Sequence, residues 1–185
     1  VRYLLDDKPD RALEVFLSLS EIDDETVDTH FALGSLYRRR GEVERAIRVH
    51  QHIVDRTSLS PGTRDAALTE LARDYFRAGL YDRAEELFLA LADSGREPAL
   101  ALSHLVRIYE IQHEWQQAAV AHKRLRTVGV PEQPAAIAHF YCELAQSEMT
   151  HSRPDDAREH LREALNVNRK CVRAYLLLGE LALNE

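Results

Sequence analysis

The side chains of this sequence that could hold a metal or move a proton are nine histidines and two cysteines. Their spacing limits what they can do. His139 and Cys142 stand three residues apart, which on a helix puts an imidazole and a thiol on one face. A structural zinc takes four ligands, and no second pair is spaced to complete the set. His50 and His52 are two apart and point away from each other on a helix, which spoils chelation. Cys142 and Cys171 show no paired spacing and read as two free thiols in a reducing compartment. No G-x-S-x-G, phosphate loop or H-E-x-x-H occurs. The histidines are therefore expected to pack or to be solvated, with no catalytic set and no metal or cofactor in this stretch.

What is left is the chemistry of recognition, carried by charge and aromatic rings. The chain of 185 residues is 45% hydrophobic and 30% charged, with only seven Gly and six Pro, a composition that suits a helix-rich folded protein. Its formal net charge of −7 disfavours nucleic acid as a partner. No apolar run approaches the roughly 20 residues of a membrane span, and no signal peptide is visible.

The elements that would position these groups repeat. An alanine opens the inner face of a helix at Ala12, Ala46, Ala84, Ala118 and Ala157, at intervals of 34, 38, 34 and 39 residues. A large–small pair precedes each turn: Leu33-Gly34, Leu71-Ala72, Leu105-Val106, Leu144-Ala145 and Leu178-Gly179. An aromatic follows at Tyr3, Tyr37, Tyr75 and Tyr109, with Glu148 in its place in the fifth unit. Gly41 and Gly79 mark the turn, replaced by Asp7, His113 and Ser152. The core of each second helix carries Phe16, His50, Phe88, His122 and Leu161. The two long intervals hold turn chemistry, Ser60 before Pro61 as a helix start and Gly129 before Pro131 as a helix stop.

A period of about 34 residues with this pattern is that of a tetratricopeptide repeat, a helix–turn–helix unit. The expected fold is all-α, a right-handed superhelix of such hairpins with about eleven helices. First helices are expected near 24–39, 61–78, 97–112 and 134–151, and second helices near 9–20, 43–56, 81–93, 115–128 and 154–167. The repeats divide as 1–26 (partial), 27–60, 61–96, 97–131, 134–170 and 171–185 (partial). Gly34 is expected to let its helix approach the next near Ala46. Both ends read as cut, since the last helix is apolar nearly all round where a solenoid end is usually polar. That helix is expected to need a cover over Tyr175, Leu178 and Leu181, supplied by a neighbouring molecule or leaving it poorly ordered.

In such an array the first helices line the concave side. Their outward positions are Phe31, Ser35, Arg38 and Arg39, then Thr69, Arg73, Phe76 and Arg77. The next two units give Ser103, Arg107, Glu110 and Ile111, then His139, Cys142, Gln146 and Met149. Five arginines and two phenylalanines thus gather on one face of an acidic chain. Such residues dominate interface hot spots, so this face is expected to bind a partner protein, an acidic or mixed segment above all.

Three strings carry a family resemblance: L-G-S-L-Y-R-R-R-G-E-V-E-R-A-I-R-V-H-Q (33–51), R-D-Y-F-R-A-G-L-Y-D-R-A-E-E-L-F (73–88) and I-A-H-F-Y-C-E-L-A (137–145). They resemble the lipopolysaccharide assembly protein B (LapB) family, in register over essentially all of the chain. The resemblance implies an adaptor that helps the membrane protease FtsH degrade the deacetylase LpxC and so restrains lipid A synthesis. It also implies a link to lipopolysaccharide transport assembly and a place on the cytoplasmic face of the bacterial inner membrane. Family members carry an N-terminal membrane anchor and a C-terminal rubredoxin-like knuckle for iron or zinc, both absent from this stretch. A chaperone-tail adaptor is the rival reading. Its carboxylate clamp needs Lys and Asn at groove positions where this chain has Phe31, Ser35 and Thr69. An enzyme hidden in the scaffold has no residue set to support it.

Overall fold

The computed structural model describes residues 26–56, 59–95, 97–131 and 133–183. Among these the helices are α1 (Val27–Arg39), α2 (Val43–Val54), α3 (Pro61–Arg77), α4 (Tyr81–Asp93), α5 (Pro98–Gln112), α6 (Trp115–Thr127), α7 (Pro134–Thr150), α8 (Pro154–Val167) and α9 (Val172–Leu183). No strand occurs among the described residues. Every expected helix from α1 onward is present to within three residues at each end. Against the eleven helices expected, nine are described, because the two before α1 lie outside the described residues, as do Tyr3, Asp7, Ala12 and Phe16.

The turn that makes each hairpin is the same backbone motif four times over. The amide of Glu42 donates to the Tyr37 carbonyl at 2.9 Å, Leu80 to Tyr75 at 2.9 Å, Glu114 to Tyr109 at 2.8 Å and Arg153 to Glu148 at 2.9 Å. One residue earlier Gly41, Gly79, His113 and Ser152 bond back to Arg38, Phe76, Glu110 and Met149. This double closure needs a left-handed residue just past the helix end. Glycine supplies it at Gly41 (φ 81°) and Gly79 (φ 76°). His113 (φ 61°) and Ser152 (φ 57°) take the same conformation without glycine's freedom. Thus the turn recurs where the glycine does not. Glu148 keeps the backbone role of the tyrosines, while its side chain pairs with Arg153.

The long connections follow their turn chemistry. Ser60 caps α3, its hydroxyl accepting the Thr63 amide at 3.1 Å, with Pro61 at the first helical position. Gly129 (φ 85°) ends α6, and Val130 donates to the Leu125 carbonyl at 3.1 Å.

Among the described residues two compact units result, one ending at Gly95 and one starting at Glu97. In the N-terminal unit α1 packs on α2, α2 on α3 and α3 on α4, while α1 also touches α3. Val27, Ile53, Ala67 and Leu71 form its core, with Phe31 and Tyr75 packed against it. In the C-terminal unit α5 packs on α6, α6 on α7, α7 on α8, and α9 on both α7 and α8. Ile137, Ala145, Ala157, Leu161, Ala174 and Leu177 are among its core residues. The aligned alanines Ala46, Ala84, Ala118 and Ala157 are all fully buried, as a close helix crossing requires.

Two packing expectations need correction. A Cβ at Gly34 would run into the His50 ring, at Nε2 first, rather than Ala46. His50 lies one turn further along α2, and its flat imidazole takes the room that the missing side chain leaves. On the terminal helix Leu181 faces inward with Ala174 and Leu177, and Leu178 is half-buried against the same core. Tyr175 stays exposed as expected, and so do Val172, Leu176 and Leu183.

Candidate protein-binding surface

In the N-terminal unit α1 and α3 present side chains on neighbouring faces, and Arg38 is the hub between them. Its Nη1 donates to the Asp74 carboxylate at 2.7 Å and to the Glu70 carbonyl at 3.2 Å. Its Nη2 donates to the Glu70 carboxylate and, at 3.4 Å, to the Ser35 hydroxyl. Behind Arg38, Asp74 also pairs with His50 Nδ1, both side chains being wholly buried. Arg73 completes the set by donating to the other Glu70 oxygen. A residue of α1, one of α2 and residues of α3 are thus tied by hydrogen bonds and ion pairs through a buried centre.

Burial of the Arg38 guanidinium works against its charge. The bond to Glu70 and attraction to Glu70 and Asp74 outweigh that and raise its pKa above the ordinary arginine value. Burial would likewise raise the Glu70 carboxyl, but the Arg38 bond and the charges of Arg38, Arg73 and His50 outweigh it and lower its pKa. A carboxylate lowered on folding contributes stability that is present above its unfolded value of 4.5 and lost as pH falls through the folded one. The N-terminal unit should therefore melt progressively earlier as the solution is acidified below that value. Glu70→Gln should lower the melting temperature at neutral pH and flatten the acid part of the profile. Parallel profiles for the two proteins would contradict the assignment.

The expected groove residues divide by what surrounds them. Arg38 and Arg73 are spent on internal carboxylates. The positive face read from the sequence omits Glu70 and Asp74, which lie beside it and neutralise much of it. Thr69 is buried, its hydroxyl turned back to the Asp65 carbonyl at 2.9 Å, so it does not line a surface. Phe31 is half-buried and leans on His50, with ring centroids 6.1 Å apart. Phe76 is half-buried and meets Tyr81 edge-on at 5.8 Å. Arg39 and Arg77 remain exposed, at equivalent places in the last turns of α1 and α3, and neither joins the Arg38 cluster.

In the C-terminal unit Arg107 is exposed and Glu110 half-buried on α5, with Ser103 and Ile111 exposed on the same helix. Cys142 is fully buried, whereas His139 is half-exposed, so the pair does not share a face and cannot chelate. The groove assignment of Cys142 fails for the same reason: its side chain points into the α7–α8–α9 core. His139 instead bonds to Arg173 of α9 at 3.0 Å. Arg173 also donates to Glu143 and, at 2.6 Å, to the Gln146 amide oxygen. Beside this cluster an open pocket of about 540 Å³ is lined by Gln146, Met149, Leu177, Glu180 and Leu181 among others. Among the described residues no group of three or more His, Cys, Asp or Glu could hold a metal ion.

Sequence reasoning misses the network around Asp74. Its signal is nevertheless present, because a polar His50 at a core position needs a buried partner. Arg38 and Asp74 lie about one repeat apart, where neighbouring first helices touch.

The repeat geometry has counterparts. Residues 69–124 and 142–185 match the tetratricopeptide repeat, and residues 29–64 match a second tetratricopeptide-repeat family. The chain belongs to the tetratricopeptide-repeat family. Within that family it is 40% identical over 179 residues to lipopolysaccharide assembly protein B of Escherichia coli (strain K12), covering 97% of this chain and 46% of that protein. It is 36% identical over 196 residues to the protein of the same name from Haemophilus influenzae, covering 99% and 48%. The chain thus spans about half the length of the curated relatives it matches. Solved structures share the fold alone. A repeat protein from Parabacteroides merdae is 19% identical with a TM-score of 0.55, over 86% of this chain and 61% of that one. A crystal structure of MamA is 19% identical with a TM-score of 0.51, over 91% and 94%. No helix among the described residues is long and apolar enough to cross a membrane.

Proposed function

We propose that this chain is the repeat portion of a non-catalytic adaptor that, like lipopolysaccharide assembly protein B, restrains lipopolysaccharide synthesis by promoting FtsH-dependent degradation of LpxC. The observation that carries this reading is the 40% identity sustained over 97% of the chain. In this reading the hairpins continue as a right-handed superhelix at the cytoplasmic face of the inner membrane. The anchor and the rubredoxin-like knuckle belong to other parts of the longer protein. The chain supplies protein contacts only, to LpxC, FtsH or lipopolysaccharide transport proteins. Arg39 and Arg77 are the cations of α1 and α3 best placed for this, being exposed and outside the Arg38 cluster.

The test is LpxC abundance in cells whose only copy of the protein carries Arg39→Glu and Arg77→Glu. LpxC should accumulate several-fold while the variant itself is made at normal levels. Unchanged LpxC would refute a working role for this face. A scaffold with another client, binding some other acidic segment, would then be the better reading.

A further inference from the structure

The two cysteines, far apart in sequence, meet in the C-terminal unit. Cys142 lies in the middle of α7 and Cys171 immediately precedes α9, and their sulfurs are 3.8 Å apart. Cys142 is fully buried and Cys171 is half-buried, both as free thiols. The pairing joins two elements that also meet through Ala174, Leu177 and Leu181 of α9 and through the Arg173 bonds to α7.

We propose that Cys142 and Cys171 form an oxidation site that hydrogen peroxide converts to a disulfide, stapling the start of α9 to α7. Cys171, the more accessible sulfur, reacts first. As a thiolate it attacks one peroxide oxygen and the O–O bond breaks. A sulfenic acid forms on Cys171, and the departing hydroxide is protonated to water. The Cys142 sulfur then attacks the Cys171 sulfur and the S–O bond breaks. The hydroxide released takes the Cys142 proton and leaves as a second water. Two thiols are oxidised and one peroxide is reduced to two waters. The order is set by burial, which with the hydrogen bond between the two sulfurs pushes the Cys142 thiol up to about 12, so it keeps its proton until that second step. The sulfurs need close only from 3.8 Å to the ~2.05 Å of a disulfide. This site is independent of which partner the repeats bind.

The experiment treats the 185-residue chain, which has just these two cysteines, with hydrogen peroxide at neutral pH. It is then unfolded, alkylated with iodoacetamide and weighed. The expected product is a monomer lighter by two hydrogens, with no alkylated cysteine and one cross-linked peptide that dithiothreitol separates. Its C-terminal unit should melt higher by roughly 5–10 °C, since the bridge constrains the unfolded chain. Cys142→Ala should instead gain oxygens at Cys171, and Cys171→Ser should stay reduced at Cys142. The proposal is overturned if the unaltered chain gains oxygens at Cys171 as fast as Cys142→Ala does, with Cys142 still alkylated. It is equally overturned if the bridges formed join separate molecules. Cys171→Ser changes a half-buried position, so it keeps the comparison open should Cys142→Ala fold poorly.

Discussion

Asp74→Ala is expected to destabilise the N-terminal unit by about 3–5 kcal/mol, the cost of removing one member of a buried charged set. Asp74 is wholly buried, and its two oxygens satisfy Arg38 on one side and His50 on the other. Without it, His50 Nδ1 loses its partner in a wholly buried site, and His50 Nε2 already lacks a bond. Arg38 would retain Glu70, so the loss falls mainly on the α2–α3 contact. The neighbouring Arg39→Ala, at an exposed site, should change stability by no more than about 0.5 kcal/mol. Chemical denaturation of both variants separates the two roles. A loss below about 1 kcal/mol for Asp74→Ala would mean that the buried set is not what joins α1, α2 and α3.

Gly34→Ala should cost about 1–3 kcal/mol, although alanine is the better helix former by about 1 kcal/mol. The added methyl would lie closer than 3.0 Å to three atoms of the His50 ring. That ring cannot swing aside freely, because Asp74 holds Nδ1 and Phe31 leans on its face. Gly34→Leu should cost more. In a His50→Ala background the same Gly34→Ala change should become neutral or favourable, since the obstacle is gone. Gly179→Ala is the control, because a methyl at that position on α9 would have nothing within 4 Å. It should stabilise by up to about 1 kcal/mol. Equal effects at Gly34 and Gly179 would refute the contact with His50.

How far the fold is legible from sequence follows from what repeats. The buried alanines Ala46, Ala84, Ala118 and Ala157 recur because each hairpin crosses at the same place, so a period finds them. The turns are legible even where His113 and Ser152 replace glycine, since the register on either side fixes them. The surface is less legible. Arg38, Arg39, Arg73 and Arg77 occupy equivalent-looking outward positions, yet two are neutralised by Glu70 and Asp74 and two are not. That distinction depends on contacts between α1 and α3, which no single-helix projection contains. Cys142 is misplaced for a related reason: the position that faces outward on a generic first helix is covered here by α9. Helical spacing gives the face of a residue on its own helix, while the neighbour decides whether that face is a surface.

The most direct test of the adaptor reading is equilibrium binding of purified LpxC to this chain, compared with Arg39→Glu/Arg77→Glu at low and high salt. The reading predicts saturable binding that salt weakens, since charges across an exposed face are screened over about 10 Å at 0.1 M. The double variant should bind roughly tenfold or more weakly, a change of about 1.4 kcal/mol or more, with its melting curve unchanged. Binding that is equal for the two proteins and indifferent to salt, or no binding of LpxC at all, would contradict it.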